Sequence, residues 1–379
     1  PKKIKHKIAV LMMLGLFQFI FRIQSRRAFN EQLTTPCVNK SLRSFFPEID
    51  SIPHSETIAR LLSRIDVSDI ERSHINMIKK LIDNKKFQKV LINKCFSISI
   101  DGTQKAVRAG QHQEEGWLLR TITKTSGKEY QQYVYVLEAN LTFSNGLNIP
   151  LLTEYCYLDV DLLTAAQAKQ DCELNAFYRL TDKLKKYFPR LKMMFLLDNL
   201  YACDGVISYL VKYKISYMIK LPAKLKYLYE LLKSKKESRA SVPGMECFRE
   251  RKQKFYWVNN VAYKDNTVSL VSCVENWKSV SPITGEIINE YSEHTWISSE
   301  PLSLDNVHER CNLAARKRAL IEDNFNTEKN RGYCYQHIFS YCWQAMKGFH
   351  YLMRLAHAIN VISEFTKKLK KYIRELGWS

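Results

Sequence analysis

Three carboxylates in this sequence stand where chemistry on a ligand is possible. Asp101 follows the run FSISI and precedes Gly102, where the backbone can approach a ligand closely. Asp198 follows the apolar run MMFLL, and Glu322 lies in IEDNFNTEKNRGY. Ligands of open α/β sheets gather at the carboxyl ends of strands, so an Asp after each of two predicted strands is suitably placed. An Asp there is also a common turn former, so neither residue alone defines a site.

The third carboxylate, Glu322, lies among basic side chains at helical spacing. At about 100° per residue, Glu322 is about 40° from Arg318, and Lys329 is about 20° from Arg318. Together with Phe325 they form one narrow stripe of a predicted helix. A solvated helix face would also tolerate these charges, which pair weakly at this spacing. Because Phe325 needs cover, we expect the stripe to pack against the sheet.

Bringing Glu322 close to Asp101 and Asp198 requires cations, because like charges in a dry site repel each other. Carboxylate oxygens suit Mg²⁺ or Mn²⁺, and two such ions would resolve the repulsion. In a two-metal site, one ion polarises the nucleophile and the other stabilises the leaving oxygen of a phosphodiester. Arg318 and Lys329 would then hold the phosphate backbone of the substrate.

The charge balance favours a polyanionic partner. The chain has 58 Lys and Arg against 38 Asp and Glu, a net charge of +20. Residues 1–95 carry 18 of these basic residues and 8 of the acidic ones, so a quarter of the chain holds half of the excess. Neutralising phosphates releases condensed counterions, which makes nucleic acid a natural partner. A basic protein with no role in nucleic-acid binding is the alternative.

The elements that must position these residues change along the chain. Residues 1–92 show helical spacing and predict a basic N-terminal DNA-binding domain. Residues 93–235 predict a strand meander and then β-α-β-α, with Asp171 capping the first helix, which favours an α/β domain with a mixed sheet. Residues 236–303 predict antiparallel strands with turns at KDN and ITGE, an all-β insertion. Residues 304–379 return to helices and complete the core.

The cysteines and the N-terminal apolar run exclude some classes of protein. Ten scattered cysteines form no C-x-x-C pair, which argues against a zinc ribbon or a thioredoxin-like site and indicates a reducing, intracellular compartment. The run Ile8 to Phe21 is too short to span a bilayer and lacks a small-residue cleavage site, so we expect a buried helix. Secretion and membrane anchoring stay as alternatives. Since the chain opens on Pro1, we expect that its true start is missing.

The segments SIDGT, LLDNLYA and RALIEDNFNTEKNRGYCYQHIF resemble the DDE transposases of bacterial insertion sequences. They are most similar to the subgroup with a Tyr-x2-Arg-x3-Glu-x6-Lys signature and a β-insertion before the last Glu. The resemblance covers roughly residues 94–362. It implies a ribonuclease-H-like catalytic core in which Asp101, Asp198 and Glu322 are the catalytic triad and bind two Mg²⁺ or Mn²⁺ ions.

The resemblance also assigns DNA contacts. Arg318 and Lys329 fall on the basic places of the signature and would contact DNA near the cleaved end. Trp296 lies in a region where relatives stack a flipped base, although an ordinary buried Trp is the alternative. Lys220 is a further candidate for a phosphate contact. The Tyr of the signature is Ala315 in this chain, which departs from the pattern.

The function that the resemblance implies is that of a DNA transposase. Such an enzyme cuts at terminal inverted repeats and joins 3′ ends to target DNA, as a homodimer in a synaptic complex with double-stranded DNA. It would work in the cytoplasm at the nucleoid, with no membrane partner. Two alternatives stay open: a catalytically impaired or domesticated DNA-binding relative, and a stand-alone metal-dependent nuclease of the same fold.

Overall fold

A computed structural model describes residues 6–44, 46–47, 49, 51–110, 115–125, 127–157, 172–234, 239–240, 247–248 and 251–366. At 239–240 and 247–248 it describes only the backbone. Asp171, the expected helix cap, lies outside the described residues, as does the part of the predicted C-terminal helices beyond residue 366.

The described part of the chain forms helices and strands in alternating blocks. The helices are α1 Ile8–Ile20, α2 Arg26–Leu33, α3 Pro36–Arg43, α4 Ser55–Leu62, α5 Ser68–Asp83, α6 Glu173–Tyr187, α7 Asp204–Lys212, α8 Lys226–Ser234, α9 Leu320–Asn330 and α10 Trp343–Glu364. The strands are β1 Phe96–Ala109, β2 Leu118–Lys124, β3 Gly127–Thr142, β4 Asn148–Cys156, β5 Met193–Leu197, β6 Ser216–Lys220, β7 Arg239–Ala240, β8 Cys247–Phe248, β9 Arg251–Tyr263, β10 Asn266–Val280 and β11 Ile287–Ser298.

All the described strands belong to one mixed sheet. Its main path runs β2-β3-β1-β5-β6-β11-β10-β9-β7, with β4 paired to β3 and β8 paired to β9. The pairs β1·β5 and β5·β6 are parallel, and the remaining pairs are antiparallel. Parallel neighbours need crossover connections, and α6 and α7 supply them between the successive strands. The predicted α/β class with a mixed sheet and flanking helices is therefore confirmed.

Strand β1 separates an apolar face of the sheet from a polar one. Successive side chains of a strand point to opposite faces, so Ile98 and Ile100 share one face and Ser99 and Asp101 share the other. The two isoleucines are fully buried in a core that includes Phe177 of α6. Helix α9 packs against β1, β3 and β4. The sequence FSISID therefore gives α6 an apolar surface and leaves polar groups for the opposite face.

The N-terminal helices pack on the rest of the molecule. Helix α1 contacts α4 and α10, and its residues Leu14 and Phe19 are buried in a core shared with Val136 of β3 and Phe349 of α10. The expected buried helix at residues 8–21 is thus confirmed as α1. Among the described residues, the N-terminal helices therefore share their core with β3 and α10. Among the described helices, none is long and apolar enough to cross a membrane.

The described part of the predicted β-insertion forms antiparallel strands that extend the main sheet, whereas residues 236–238, 241–246 and 249–250 lie outside the described residues. Its turns follow Tyr263 and Val280, where β9 leads into β10 and β10 into β11, as KDN and ITGE predicted. Strand β11 then pairs with β6 through Trp296 and Lys220. Because backbone hydrogen bonds join β11 to β6, the inserted strands are held in a fixed position relative to β6.

A buried ionic network joins helices α9 and α10 to β3. The guanidinium of Arg354 lies 2.9 Å from Glu328 Oε1 and 3.2 Å from Glu138 Oε2. His350 and Tyr335 also contact Glu138 Oε1, at 3.0 and 2.9 Å. Burial alone would raise the pKa of Glu328, but Arg354 and nearby histidines hold it well below its usual range. The network therefore keeps the buried carboxylate of Glu328 ionised and holds α9 in place on the sheet.

We expect Glu328→Gln to lower the free energy of unfolding by about 3–5 kcal/mol, because it removes one carboxylate from the buried guanidinium of Arg354. A lowered pKa stabilises the fold above the ordinary carboxylate value of 4.5 and loses that contribution as pH falls below it. The loss on mutation should therefore shrink in acid. Denaturant unfolding at neutral and acidic pH measures both effects.

The matched control is Glu31→Gln, which removes an exposed carboxylate that lies 2.9 Å from Arg27 one helical turn away. This change should cost less than about 0.5 kcal/mol, as exposed ion pairs contribute little. Equal costs for the two variants would contradict a structural role of the buried network.

Candidate active site

Asp101 and Asp198 lie level with each other on neighbouring parallel strands. In the β1·β5 register Ser99 faces Leu196, so Asp101 and Asp198 follow these partners by the same two residues. Adjacent strands are about 4.8 Å apart, which makes the two aspartates close neighbours. Asp198 directly follows β5, as predicted, and its Oδ1 accepts a hydrogen bond from the amide of Leu200 at 2.8 Å.

One prediction about Asp101 is wrong: it does not end its strand. Strand β1 continues eight residues further to Ala109, because β3 pairs with it along that whole length. The sequence change after FSISI marks the point where the parallel neighbour β5 stops. Asp101 therefore lies inside β1 but at the edge of the parallel part of the sheet.

The second correction concerns the helix that carries Glu322. Arg318 was expected on the same helix, but α9 begins only at Leu320. Residues Glu309–Ala314 form a π-helical segment and Ala315–Ala319 a 3-10 segment. Arg318 therefore lies on a tighter turn than ideal helix geometry assumes. Of the predicted stripe, only the part from Glu322 to Lys329 therefore lies on one α-helix.

Arg318 nevertheless joins two of the three predicted acids. Its Nη1 lies 3.1 Å from Asp101 Oδ2, and its Nη2 donates directly to Glu322 Oε1. The side chains of Arg318 and Asp101 are each 19% exposed, whereas that of Glu322 is 55% exposed. The guanidinium thus lies between a half-buried aspartate and a carboxylate at the mouth of the site.

Lys329 reaches the same face of β1 from the other end of α9. Its Nζ donates to Thr103 Oγ1 at 2.6 Å, two residues beyond Asp101 on the polar face of the strand. Phe325 is buried, as its place on the stripe predicted, and the Lys329 ammonium lies 5.6 Å from its ring centre. Two cations therefore flank Asp101.

Asp101 is energetically costly in its charged form. Burial raises its pKa to about 6 against the lowering effect of Arg318, and the neighbouring charges of Asp198 and Glu173 raise it further. A pKa this high means that nearby positive charges do not fully offset the cost of burying the negative charge of this carboxylate. Such a perturbed acid, next to the end of the parallel pairing between β1 and β5, is a candidate functional group.

Glu173, the first residue of α6, is a site neighbour that sequence reasoning missed. Its carboxylate accepts hydrogen bonds from the hydroxyls of Tyr135 at 2.8 Å and Tyr201 at 2.7 Å. A Cβ on Gly102 would overlap the Tyr135 hydroxyl and lie 2.5 Å from Glu173 Oε2. Gly102 is therefore explained by this internal contact and not by the approach of a ligand. No motif surrounds Glu173, so only the fold reveals it.

An open cleft of about 640 Å³ begins at Arg318 and Glu322 and runs toward the inserted strands. Lys220 and Trp296, paired across β6 and β11, both line it. Lys220 is exposed at the end of β6. Trp296 is only 6% exposed, which favours a wall of the cleft over a platform for a stacked base. Ala315, where the signature has Tyr, also lines the cleft.

Arg316 is a second residue that sequence reasoning missed. It lines the cleft two residues before Arg318, and its guanidinium lies 2.9 Å from Glu275, a fully buried carboxylate of β10. Arg251 of β9 binds the other oxygen of Glu275 at 3.0 Å. The run ARKRAL contains several basic residues, but only the folded structure shows that Arg316 is bound to Glu275 of the inserted strands.

The donors at the site fit a divalent cation in part. Asp101 and Asp198 follow paired positions of two neighbouring parallel strands, and the charge of Asp198 is one of the causes that raise the pKa of Asp101. Carboxylate oxygens are the donors that Mg²⁺ and Mn²⁺ prefer. Glu322 reaches them only through Arg318. Within the described ranges no group of three His, Cys, Asp or Glu side chains is placed closely enough to hold a metal ion. The arrangement therefore provides two neighbouring aspartates and a third carboxylate at the rim.

Comparison of the chain with protein-family models gives no match, and comparison with curated proteins finds no similar sequence. The site therefore has to be interpreted from its own residues and geometry.

We expect Asp101→Asn to become progressively stabilising, relative to the wild type, as pH rises from about 4 to about 6. A raised pKa means that the native carboxyl holds its proton while the unfolded one has lost it, so wild-type stability falls across this window. The shift corresponds to about 3 kcal/mol. Denaturant unfolding of both proteins between pH 4 and pH 8 measures the difference, in which the titration of other groups cancels.

A difference in unfolding free energy that stays constant across this range would contradict the raised pKa of Asp101. Glu31→Gln, the exposed variant used above, checks that the loss of any negative charge from this basic chain does not produce the same trend.

Proposed function

We propose that this protein is a DNA transposase of the DDE type, with Asp101, Asp198 and Glu322 as its catalytic acids. One observation carries the proposal: two aspartates stand level on neighbouring parallel strands, and an arginine links one of them to a glutamate on α9. This combination joins residues from three distant segments in the order that the resemblance implies. The cleft that begins at Arg318 and Glu322 is also lined by Lys220, Arg316 and Lys317.

The architecture supports the finer assignment of a ribonuclease-H-like core. Strands β1, β3, β5 and β6 would form its centre, with β7–β11 as the insertion before the last catalytic acid. The insertion ends shortly before the π-helical segment Glu309–Ala314 that leads to Glu322. We propose that residues 1–92 bind DNA, which their excess of basic residues favours.

Asp101 and Asp198 would hold Mg²⁺ or Mn²⁺, with Glu322 completing the site. Two bound ions would activate the attacking hydroxyl or water and stabilise the leaving oxygen of the phosphodiester. Arg318 and Lys329 would orient the phosphate, since the planar guanidinium matches its oxygens and the ammonium supplies a second charge. Glu173 with its two tyrosines would keep the backbone at Gly102 fixed beside Asp101.

The substrate that we propose is double-stranded DNA: the terminal inverted repeats of an insertion sequence and a target duplex. The net charge of +20 supports a polyanion as the partner. Cleavage and joining of 3′ ends would take place in a homodimeric synaptic complex. The proposed location is the cytoplasm, at the nucleoid, where such DNA is present.

Ala315 supports a second candidate, a relative that binds DNA but is impaired in catalysis. It lines the cleft three residues before Arg318, where the signature places a tyrosine, and the residue is 6% exposed. A tyrosine hydroxyl there would add a hydrogen bond that this chain lacks. The carboxylates remain, so this candidate predicts DNA binding with weak or absent cleavage.

We expect Glu322→Gln to lower Mn²⁺-dependent nicking of a supercoiled plasmid by about a hundredfold or more. Loss of a group that merely supports a metal ligand costs about 10–100-fold, and loss of a ligand charge should cost at least as much. DNA affinity, measured by gel shift in the absence of metal, should be retained, because the side chains of Arg318 and Lys329 are unchanged.

The matched control is Asp323→Asn, the adjacent exposed acid on α9, which lines a separate pocket with Thr327 and Arg331. It should nick like the wild type. Identical nicking by the wild type and Glu322→Gln would rule out the catalytic assignment. Absence of nicking from all three proteins with intact DNA binding would favour the impaired relative.

A further inference from the structure

Basic side chains are concentrated in three short stretches of the chain. Residues 79–94, 183–192 and 212–214 contain 13 Lys and Arg and a single acid, Asp83. These stretches therefore hold more than half of the net charge of +20. None of them lines the cleft at Arg318, so the candidate active site does not account for this excess of positive charge.

The sheet brings the three stretches to one edge. The parallel strands β1, β5 and β6 start side by side. Lys94, Lys192 and Lys214 precede these starts by one or two residues, so all three lie where the parallel strands begin. The amide of Phe96, the first residue of β1, donates to the backbone carbonyl of Lys192 at 2.9 Å. The connections before β1 and β5 are therefore in direct contact.

Helices α5 and α6 end at the same edge. The Nζ of Lys79 in α5 lies 5.7 Å from the ring centres of both Tyr187 and Phe188, at the end of α6. After α5, the ring of Phe87 packs edge-on against that of Phe96, with their centres 6.4 Å apart. The connections that follow both helices therefore border the starts of the parallel strands.

Six exposed cations stand in these connections, outside the α-helices and the strands. We call them the basal surface: Lys85, Lys86, Lys94, Arg190, Lys192 and Lys214. Within the part of the chain that the structure describes, none of the six forms an ion pair with a carboxylate. Neighbouring cations repel one another, so such a surface attracts a partner with several negative charges.

Stabilisation of helix ends explains other lysines of these stretches but not the basal surface. A lysine in the last turn of a helix interacts favourably with the helix dipole, which accounts for the lysines inside the last turns of α5, α6 and α7. This effect falls off beyond the last turn. Lys94, Arg190 and Lys192 stand three or more residues after the nearest helix end.

Two basal lysines adopt a backbone conformation that disfavours lysine. Lys85 has a φ of 56° and Lys214 a φ of 54°, both in the left-handed region. Each follows the C-cap residue of its helix, and the next amides, of Lys86 and Ile215, donate back into the last helical turn at 3.1 and 3.0 Å. Glycine is the usual residue at this position, because it has no Cβ. A lysine there costs conformational energy and supplies a charge that the described contacts leave unpaired.

We propose that the basal surface binds the phosphate backbone of double-stranded DNA without reading its sequence. Lysine ammonium groups are point charges that suit phosphates. Base readout needs a helix or a β-ribbon that lies in a groove, whereas the elements at this edge end in short connections from which side chains reach only the backbone. The partner is therefore recognised by its charge.

An anionic membrane is the other polyanion with this chemistry. Membrane binding by a protein surface also uses apolar side chains that enter the lipid. Among the described residues of the three stretches, no large apolar side chain is largely exposed. This composition favours DNA over a lipid surface.

The basal surface is separate from the candidate active site. Strand β5 has five residues, which at about 3.3 Å each place Asp198 about 17 Å from the edge where β5 begins. One phosphate cannot contact both places. Lys85 and Lys86 belong to the predicted N-terminal DNA-binding segment and the other four cations to the predicted core, so the surface spans both. The inference does not depend on the catalytic assignment.

The salt dependence of DNA affinity tests the proposal. The full-length protein is titrated with a 20-base-pair duplex of arbitrary sequence, without metal, by fluorescence anisotropy between about 50 and 200 mM salt. Each phosphate contact contributes about 0.9 to the slope of log affinity against log salt concentration. We expect the combined variant Lys85→Gln, Lys192→Gln and Lys214→Gln to lose about 2 to 3 from this slope.

The matched control removes the same net charge elsewhere. Lys252→Gln, Lys254→Gln and Lys278→Gln neutralise three exposed lysines of β9 and β10 in the insertion. This combined variant should lose less than about 1 from the slope. Equal losses in the two triple variants would show a response to net charge alone and would overturn the basal surface as a site.

Replacement by glycine separates binding from folding. Lys85→Gly with Lys214→Gly relieves the left-handed backbone, so the melting temperature should equal or exceed that of the wild type while DNA affinity falls. A lower melting temperature with wild-type DNA affinity would mean that these lysines serve the fold, and the proposal would be wrong. This pair also decides the question should the triple glutamine variant not fold.

Two further measurements identify the partner and separate the proposal from the catalytic one. If the triple glutamine variant loses binding to phosphatidylserine vesicles but keeps its DNA affinity, the surface is a membrane site and the proposal is overturned. At saturating DNA this variant should nick plasmid in Mn²⁺ like the wild type. If Glu322→Gln also nicks like the wild type, the catalytic assignment fails, while the salt slopes still support the basal surface.

Discussion

The buried guanidinium of Arg354 is the contact on which the arrangement of the site depends. It binds Glu328 of α9 and Glu138 of β3, and Glu138 is the residue directly opposite Asp101 on the neighbouring strand. One side chain of α10 thus ties the helix that carries Glu322 to the strand beside Asp101. Directional bonds in a dry interior fix the relative position of the two elements more tightly than apolar contact does, because an unpaired charge there is very costly.

The site itself shows the opposite electrostatic situation. In the network around Arg354, carboxylates and cations compensate each other and the pKa of Glu328 is lowered. At Asp101, burial raises the pKa despite the contact with Arg318, and the neighbouring charges of Asp198 and Glu173 raise it further. The fold thus pairs the buried carboxylate of Glu328 with cations, whereas it offsets the negative charge of Asp101 only in part. That contrast is the physical reason for expecting a cationic ligand at Asp101 and not merely another structural ion pair.

Local sequence patterns were sufficient for many of the described elements and for the place of Asp198 directly after β5. The end of β5 at Asp198 and the turns of the β-insertion follow from runs of apolar residues and from turn formers. The length of β1 beyond Asp101 could not be read in the same way, because it depends on pairing with β3. The change from π-helix to 3-10 helix before α9 was also hidden, since ideal helical spacing describes that segment equally well.

Long-range contacts account for the site residues that were missed. Glu173 is next to Asp101 only because α6 starts where two tyrosines from β3 and the turn after β5 converge. Arg316 is anchored by Glu275, 41 positions earlier in the chain and on a strand of the insertion. No spacing rule connects such residues. The resemblance in the sequence pointed to Asp101, Asp198 and Glu322, while the bridging position of Arg318 became visible only in three dimensions.

The most direct test of the central claim is to locate Mn²⁺ by anomalous scattering in crystals of the protein bound to a DNA duplex. The account predicts a Mn²⁺ peak within ligand distance of both Asp101 and Asp198, with Glu322 turned toward it and Arg318 on a DNA phosphate. Crystals that contain Mn²⁺ and DNA but show Arg318 still bridging Asp101 and Glu322, with no peak at the aspartates, would contradict it.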